Sequence, residues 1–276
     1  GHQVKLMPPH YVKPYVKRNK NDMADAEAIC EAVTRPTMRF VSVKSMEQQS
    51  VLMLHRTRDL LVRQRTMLIN AIRAHMAEFG IVAPGGVPQV KKLLSIIADT
   101  GDGRLPPIAR TCLESLARQF LSLHDEIHAA EKHIHTWHRS NEASKRLETI
   151  PGIGPIIASA LTASITDPEV FKNGRELAAW IGLVPRQNST GGKQRLGKIS
   201  KQGDQYLRWL LVAGAMSVIL HAKRRGTTNL PWLADIIARK PAKVAAVALA
   251  NKNARIVWAL LRQGGTYQKP VIVPAA

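Results

Sequence analysis

The chain has 276 residues, with 40 Lys+Arg against 20 Asp+Glu and a formal net charge of +20, an excess that calls for a polyanionic partner. Its longest apolar run, Trp209 to Leu220, is shorter than the roughly 18 residues a membrane span needs, so no membrane partner is expected. Cys30 and Cys112 are too few for a disulfide framework or a four-cysteine zinc site; with no secretory start, a reducing, cytoplasmic setting is expected.

In chain order, Gly1 to Pro9 reads as the end of a strand running into a loop. Without an initiator methionine, this predicts an N-terminally shortened piece of a longer protein. Residues 22–33, rich in helix formers and ending before Pro36, predict a short helix. Asp22 and Asp25 project from one face of it and could share a magnesium ion that orients phosphate oxygens. Acids in a first helical turn are also expected from the helix dipole alone. Residues 39–43 predict a short strand or extended link. Ser45 with Gln48 then forms a capping box that opens a long helix, to about Phe79. Leu54, Leu61, Leu68, Ile72 and Phe79 keep helical spacing, while Arg56, Arg58, Arg63, Arg65 and Arg73 crowd the remaining surface as either a nucleic-acid contact or a solvated face.

Residues 83–107, rich in proline and glycine, predict a chain reversal around a short helix near 90–97. From Ile108 the steps of three and four through Leu113, Leu116, Phe120, Leu123, Ile127, Ala130, Ile134 and Trp137 form a heptad seam and predict a coiled-coil arm. It could pair with the preceding helix or with another subunit, and oligomerisation is expected either way. His124, His128, His133, His135 and His138 lie on this helix; a metal at the His124/His128 pair would need a third ligand, and the alternative is a solvated polar face. Residues 150–161 resemble a helix-hairpin-helix element. Its Gly152 and Gly154 either open backbone N–H groups to a phosphate or make an ordinary turn.

Residues 182–203 set hydroxyls beside a flexible glycine pair and surround them with cations. Gly191 and Gly192 let backbone approach a phosphate, while Arg186, Lys193, Arg195, Lys198, Lys201 and Arg208 can neutralise charge that grows in a phosphoryl-transfer transition state. Ser189 is the candidate nucleophile, with Thr190 and Ser200 as competitors; the plain alternative is an ordinary loop. With no histidine nearby, a Ser-His-Asp mechanism has no support. Residues 204–221 and 240–262 predict two further helices of a compact C-terminal domain, and the tail, 266–276, is expected to be loose.

Three blocks together resemble transposases of the insertion-sequence 110 family, in its eleven-eleven branch: residues 15–26, residues 150–154, and Gly182-Leu183-Val184-Pro185 through Ser189-Thr190-Gly191-Gly192-Lys193 to Tyr206-Leu207-Arg208. The resemblance implies a RuvC-like (RNase H-like) domain with four metal-binding acids, a coiled-coil arm, and a C-terminal transposase domain with a serine nucleophile. It implies a bacterial, nucleoid-associated DNA recombinase that assembles as a dimer or tetramer and acts on donor and target DNA under a structured guide RNA. Asp22 and Asp25 correspond to the third and fourth acids and Ser189 to the nucleophile, with Thr190 one register away. The first two acids would precede Gly1, so half a magnesium site and impaired strand exchange are expected. A non-catalytic nucleic-acid-binding and oligomerisation fragment is the alternative.

The expected architecture is mainly α with a partial α/β part. Residues 1–44 are the RuvC-like remnant, 45–148 the long-helix arm with its loop at 83–107, 149–265 the transposase domain, and 266–276 the tail.

Overall fold

The computed structural model describes residues 2–17, 21–225 and 231–268. Near the N-terminus, α1 (Pro9–Val12) and a 3-10 turn (Lys13–Tyr15) pack against α2 (Asp22–Thr34). Asn21 caps α2 by accepting a hydrogen bond from the Ala24 N–H at 2.6 Å, satisfying a donor that the helix cannot. Among the described residues no strand forms at either place where the sequence predicts one. Leu6 and Val41 make one isolated antiparallel bridge, and both side chains are exposed. A lone pair of extended segments has no further partner for its ladder groups among the described residues, so pairing stops at a single bridge.

The long helix α3 (Met46–Ala77) begins where the capping box predicts: Ser45 Oγ accepts from the Gln48 N–H, and Gln48 Oε1 accepts from the Ser45 N–H. The chain reverses through α4 (Val87–Ala98) and returns along α5 (Pro107–Ser140). Trp137 donates to Glu47 and Arg58 pairs with Glu131, so α3 and α5 run antiparallel within one chain. The predicted seam is the buried one on α5, where Leu113, Phe120, Ile127, Ala130 and Ile134 are all covered. On α3 the buried line is Val51, His55, Ile69, Ile72 and Met76, so a histidine rather than Leu54 occupies the seam. At the tip, α4 closes over this pair and Val90, Leu93 and Ile97 join Ile72, Met76 and Leu113 in a separate small core.

The larger core begins at Leu147 and is built by α6 (Glu142–Glu148), α7 (Pro155–Ser164), α8 (Gly174–Trp180), α9 (Gln205–Arg225), α10 (Pro231–Arg239) and α11 (Ala242–Gln263). Small residues let these helices approach closely. A Cβ on Gly214 of α9 would lie 2.0 Å from the Gly152 carbonyl oxygen, so that position admits glycine alone. By length and composition α11 could cross a membrane, which the apolar run at 209–220 does not reveal. Its face carrying Ala246, Leu249, Ala250, Asn253 and Val257 is instead buried against α8 and α9, the place of a core helix. The start of the tail is not loose: the Tyr267 N–H donates to Thr149 Oγ1 at 2.9 Å and its ring packs on the core. Residues 269–276 lie outside the described residues.

Candidate active site and nucleic-acid interface

The stretch predicted as a loop around Ser189 is a β-hairpin. Strand β1 (Pro185–Gln187) pairs antiparallel with β2 (Leu196–Ile199), with an irregularity between Pro185 and Gln187. Beyond the strands the Asn188 N–H donates to the Arg195 carbonyl at 2.8 Å, and the Lys193 N–H to the Thr190 carbonyl at 3.0 Å. Gly191 and Gly192 sit at the tip with φ of 53° and 74°. Two consecutive positive φ values make the tight hairpin turn whose twist matches the strands, and only glycine adopts both without steric cost.

Ser189 and Thr190 are neighbours on this arm, with Thr190 in an isolated antiparallel bridge to Lys193 at the turn. Ser189 Oγ accepts from the Arg195 N–H at 3.3 Å and is exposed. Arg186, Lys193, Arg195 and Lys198 are all exposed on the same hairpin, which contains no acid between Pro185 and Gly203. Arg186 leans across the ribbon, its guanidinium 3.2 Å from the Ser200 carbonyl oxygen.

At the hairpin base the backbone is clamped. Ser200 N–H donates to Val184 O at 2.8 Å and Lys201 N–H to Gly182 O at 3.2 Å. A Cβ on Gly182 would fall 2.2 Å from Gln202 O, and one on Gly203 1.8 Å from Trp180 O. Arg208 belongs to this clamp: its Nη1 donates to the carbonyls of Ile181 and Gln202, each at 2.8 Å. Its role in the structure is thus to hold the hairpin. Lys201 is the sole non-glycine with positive φ (56°) among the described residues, and its side chain is exposed beside the clamp.

The other sequence candidates are distributed elsewhere. Asp22 is exposed and Asp25 half-buried in the first turn of α2. Among the described residues no hydrogen bond or ion pair links either to the hairpin, and no three His, Cys, Asp or Glu side chains gather as a metal site. Two carboxylates one helical turn apart do fit a magnesium ion that keeps several waters and takes substrate oxygens. Gly152 has φ of 87° and abuts Gly214, so close packing accounts for it; Gly154 is open, with nothing within 4 Å of a built Cβ. On α3, Arg56 is exposed, Arg63 pairs with Asp59 at 3.1 Å, and Arg58 and Arg73 are spent on Glu131 and on the carbonyls of Ala83 and Pro84. The histidines of α5 are not one solvated face. His138 is buried between Ser144 Oγ at 2.7 Å and Glu148 at 2.8 Å, while His124 stacks on Phe120 and meets His128 at 3.2 Å.

A buried polar contact with no signature in the sequence joins the arm to the larger core. His55 of α3 is fully buried, with Nε2 3.0 Å from Ser159 Oγ of α7 and Nδ1 3.2 Å from the Tyr206 hydroxyl at the start of α9. Ser159 spends its own proton on the Pro155 carbonyl at 2.7 Å, so it accepts from His55 Nε2–H. Burial pushes the Tyr206 hydroxyl up to about 12, which keeps it a donor to Nδ1. Burial, with Arg58 nearby, lowers His55 to about 4, so the ring is neutral. A histidine at a seam spacing carries little signal in sequence, because its partners lie more than a hundred residues away.

Fold and site define a predominantly helical, strongly basic protein that presents an acid-free hairpin, clamped at its base, with an exposed hydroxyl. The model for the "Transposase IS116/IS110/IS902 family" matches residues 144–229, which contain the hairpin and its clamp, and a second transposase model matches residues 1–81. The chain is 42% identical over 269 residues to the transposase for insertion sequence element IS1328 of Yersinia enterocolitica, covering 98% of this chain and 80% of that one. It is 41% identical to the transposase for element IS1111A of Coxiella burnetii (97% and 74% covered), and 48% identical to the y4pF/y4sB protein of Sinorhizobium fredii (98% and 69%). The chain belongs to the IS116/IS110/IS902 family of transposases, proteins of DNA transposition.

Proposed function

We propose that this transposase cuts and rejoins DNA through Ser189. The carrying observation is the hairpin: an exposed serine hydroxyl on a backbone held by glycine contacts, among cations and without a neighbouring carboxylate. In the step proposed, Ser189 Oγ forms a bond to a phosphodiester phosphorus. The bond to one deoxyribose oxygen breaks, and that oxygen leaves as a hydroxyl with the proton the serine gives up. Attack by a deoxyribose hydroxyl from another strand end reverses the step and frees the serine. Lys193, Arg195, Lys198, Lys201 and Arg186 would neutralise the phosphate oxygens as charge builds.

Asp22 and Asp25 would hold magnesium, which when bound supplies charge neutralisation at the phosphate. Because they lie on α2, apart from the hairpin's hydrogen bonds, we propose that acids and serine meet in a homo-oligomer, a dimer or tetramer. The same reading gives the protein a structured guide RNA that pairs with donor and target, and a place on the bacterial nucleoid. Gly152, Gly154, Arg56 and Arg63 are assigned to backbone contacts with RNA or DNA.

The test is a nicked suicide DNA substrate with cognate RNA and magnesium. Wild type and Thr190→Ala should form a covalent protein–DNA adduct, and Ser189→Ala should form none. An adduct retained by Ser189→Ala overturns the assignment. Salt-sensitive binding without an adduct in the wild type would support the alternative, a nucleic-acid-binding and assembly protein.

A further inference from the structure

The outer wall of the hairpin faces a groove of about 1710 Å³, floored by the side of α11 that the core leaves uncovered. Along α11 Val244, Val247 and Ala248 recur at helical spacing and line it, half-buried or exposed, together with Ile256, which also packs on the larger core. Val244, Val247 and Ala248 turn away from the buried Ala246, Leu249 and Ala250, so the first two turns of α11 carry apolar residues on two sides. Among the described residues six cations stand around the floor: Arg175 of α8, Lys198 and Lys201 of the hairpin, and Lys243, Lys252 and Arg255 of α11. None of the lining residues is acidic. Trp232 of α10 closes one side, with the Lys252 ammonium 4.4 Å from its ring centroid.

An apolar floor inside a ring of like charges is an unusual surface to leave in water. Duplex DNA would answer the cations alone, because its base faces are stacked away inside. A single strand answers both features: its phosphates meet the Lys and Arg rim, and its unstacked bases lie on the aliphatic floor and against the Trp232 ring. We infer that this groove binds single-stranded nucleic acid, as a second site beside the hairpin serine. The inference rests on the nucleic-acid reading above and not on serine chemistry. Ser189 lies two residues past Gln187, about 7 Å of extended chain, so a strand in the groove runs along the wall that carries the nucleophile.

The experiment uses the full chain, a fluorescein-labelled 20-nucleotide thymidine oligomer and a blunt 20-base-pair duplex, with binding followed by anisotropy. In the Lys243→Glu/Arg255→Glu variant the dissociation constant for the oligomer should rise at least tenfold and that for the duplex less than threefold. Both side chains are exposed, and an acid at position 243 suits the N-terminal turn of α11, so folding is preserved. As a second measurement, Trp232→Leu should lose at least half of the oligomer-induced quenching of tryptophan fluorescence. Equal loss for both ligands, or no loss for either, overturns the groove. So does a polyglutamate peptide that displaces the oligomer from wild type but not from the double variant's residual sites, which would mark an acidic protein segment as the occupant. Wild-type binding to the duplex alone overturns the groove and leaves the proposed function standing; binding to neither sinks both.

Discussion

His55 is neutral in the folded chain because its two ring nitrogens have one donor and one acceptor waiting and no place for a second proton. That geometry makes stability depend on pH with a defined sign. Above the ordinary histidine value of 6.5 both folded and unfolded rings are neutral and the contact contributes fully. As pH falls from there toward about 4, the unfolded chain binds a proton that the folded chain refuses, so stability is lost across that window. The full loss is on the order of 3 kcal/mol. The urea midpoint should therefore drop between pH 7 and pH 4.5, and His55→Gln, though less stable at neutral pH, should show a shallower drop. Equal slopes for the two proteins would remove His55 as the cause. Residue chemistry was readable in the sequence where a rule is local, as at Ser45 and Gln48, whose side chains reach only three residues. It was not readable at His55 or Arg208, whose partners are set by packing.

Among elements, the hairpin illustrates what a pattern conceals. The pair Gly191-Gly192 between polar residues fits a tight turn, yet the flanking segments lack the apolar alternation that announces strands, since both faces are exposed. The ribbon is held instead at its base, where Gly203 meets Trp180 O and Arg208 bridges two carbonyls. Gly203→Ala places a Cβ where no backbone can yield, at a φ of 70° that alanine resists. The hairpin should be displaced while the helices stay. Trypsin should then cut at Lys193, Arg195 or Lys198 at least tenfold faster, adduct formation should fall in parallel, and far-ultraviolet circular dichroism should stay near wild type. An unchanged cleavage rate would show that the clamp does not govern the ribbon. The helices were legible because burial repeats along them: the α5 seam matches its heptad positions, and α9 and α11 fall close to their predicted bounds. The short α8 and α10 repeat too few residues to carry such a signal, and the segment at 39–43, extended in pattern, forms one bridge and no ladder.

At the scale of the whole molecule, the net charge of +20 dominates the encounter with DNA. A chain that neutralises about six phosphates should lose roughly a thousandfold in affinity between 50 and 200 mM salt, and a flat response would show that binding does not depend on charge. Charge also says that a polyanion binds without saying where. The cations of the groove come from α8, β2, the segment after it and α11, over eighty residues of chain, and no window of sequence gathers them. Sequence alone determined the helical architecture, the antiparallel option for the arm, the basic character and the family blocks around Asp22, Gly152 and Ser189. The first three follow from composition, periodicity or neighbours along the chain; the blocks carry the resemblance to the family. Tertiary structure decided that the arm closes on itself, that Ser189 rides a clamped ribbon, that His55 is a neutral buried link, and that α11 leaves Val244, Val247 and Ala248 uncovered beside the hairpin. Those outcomes depend on which distant surfaces exclude water together, a property of three-dimensional packing that no local pattern encodes.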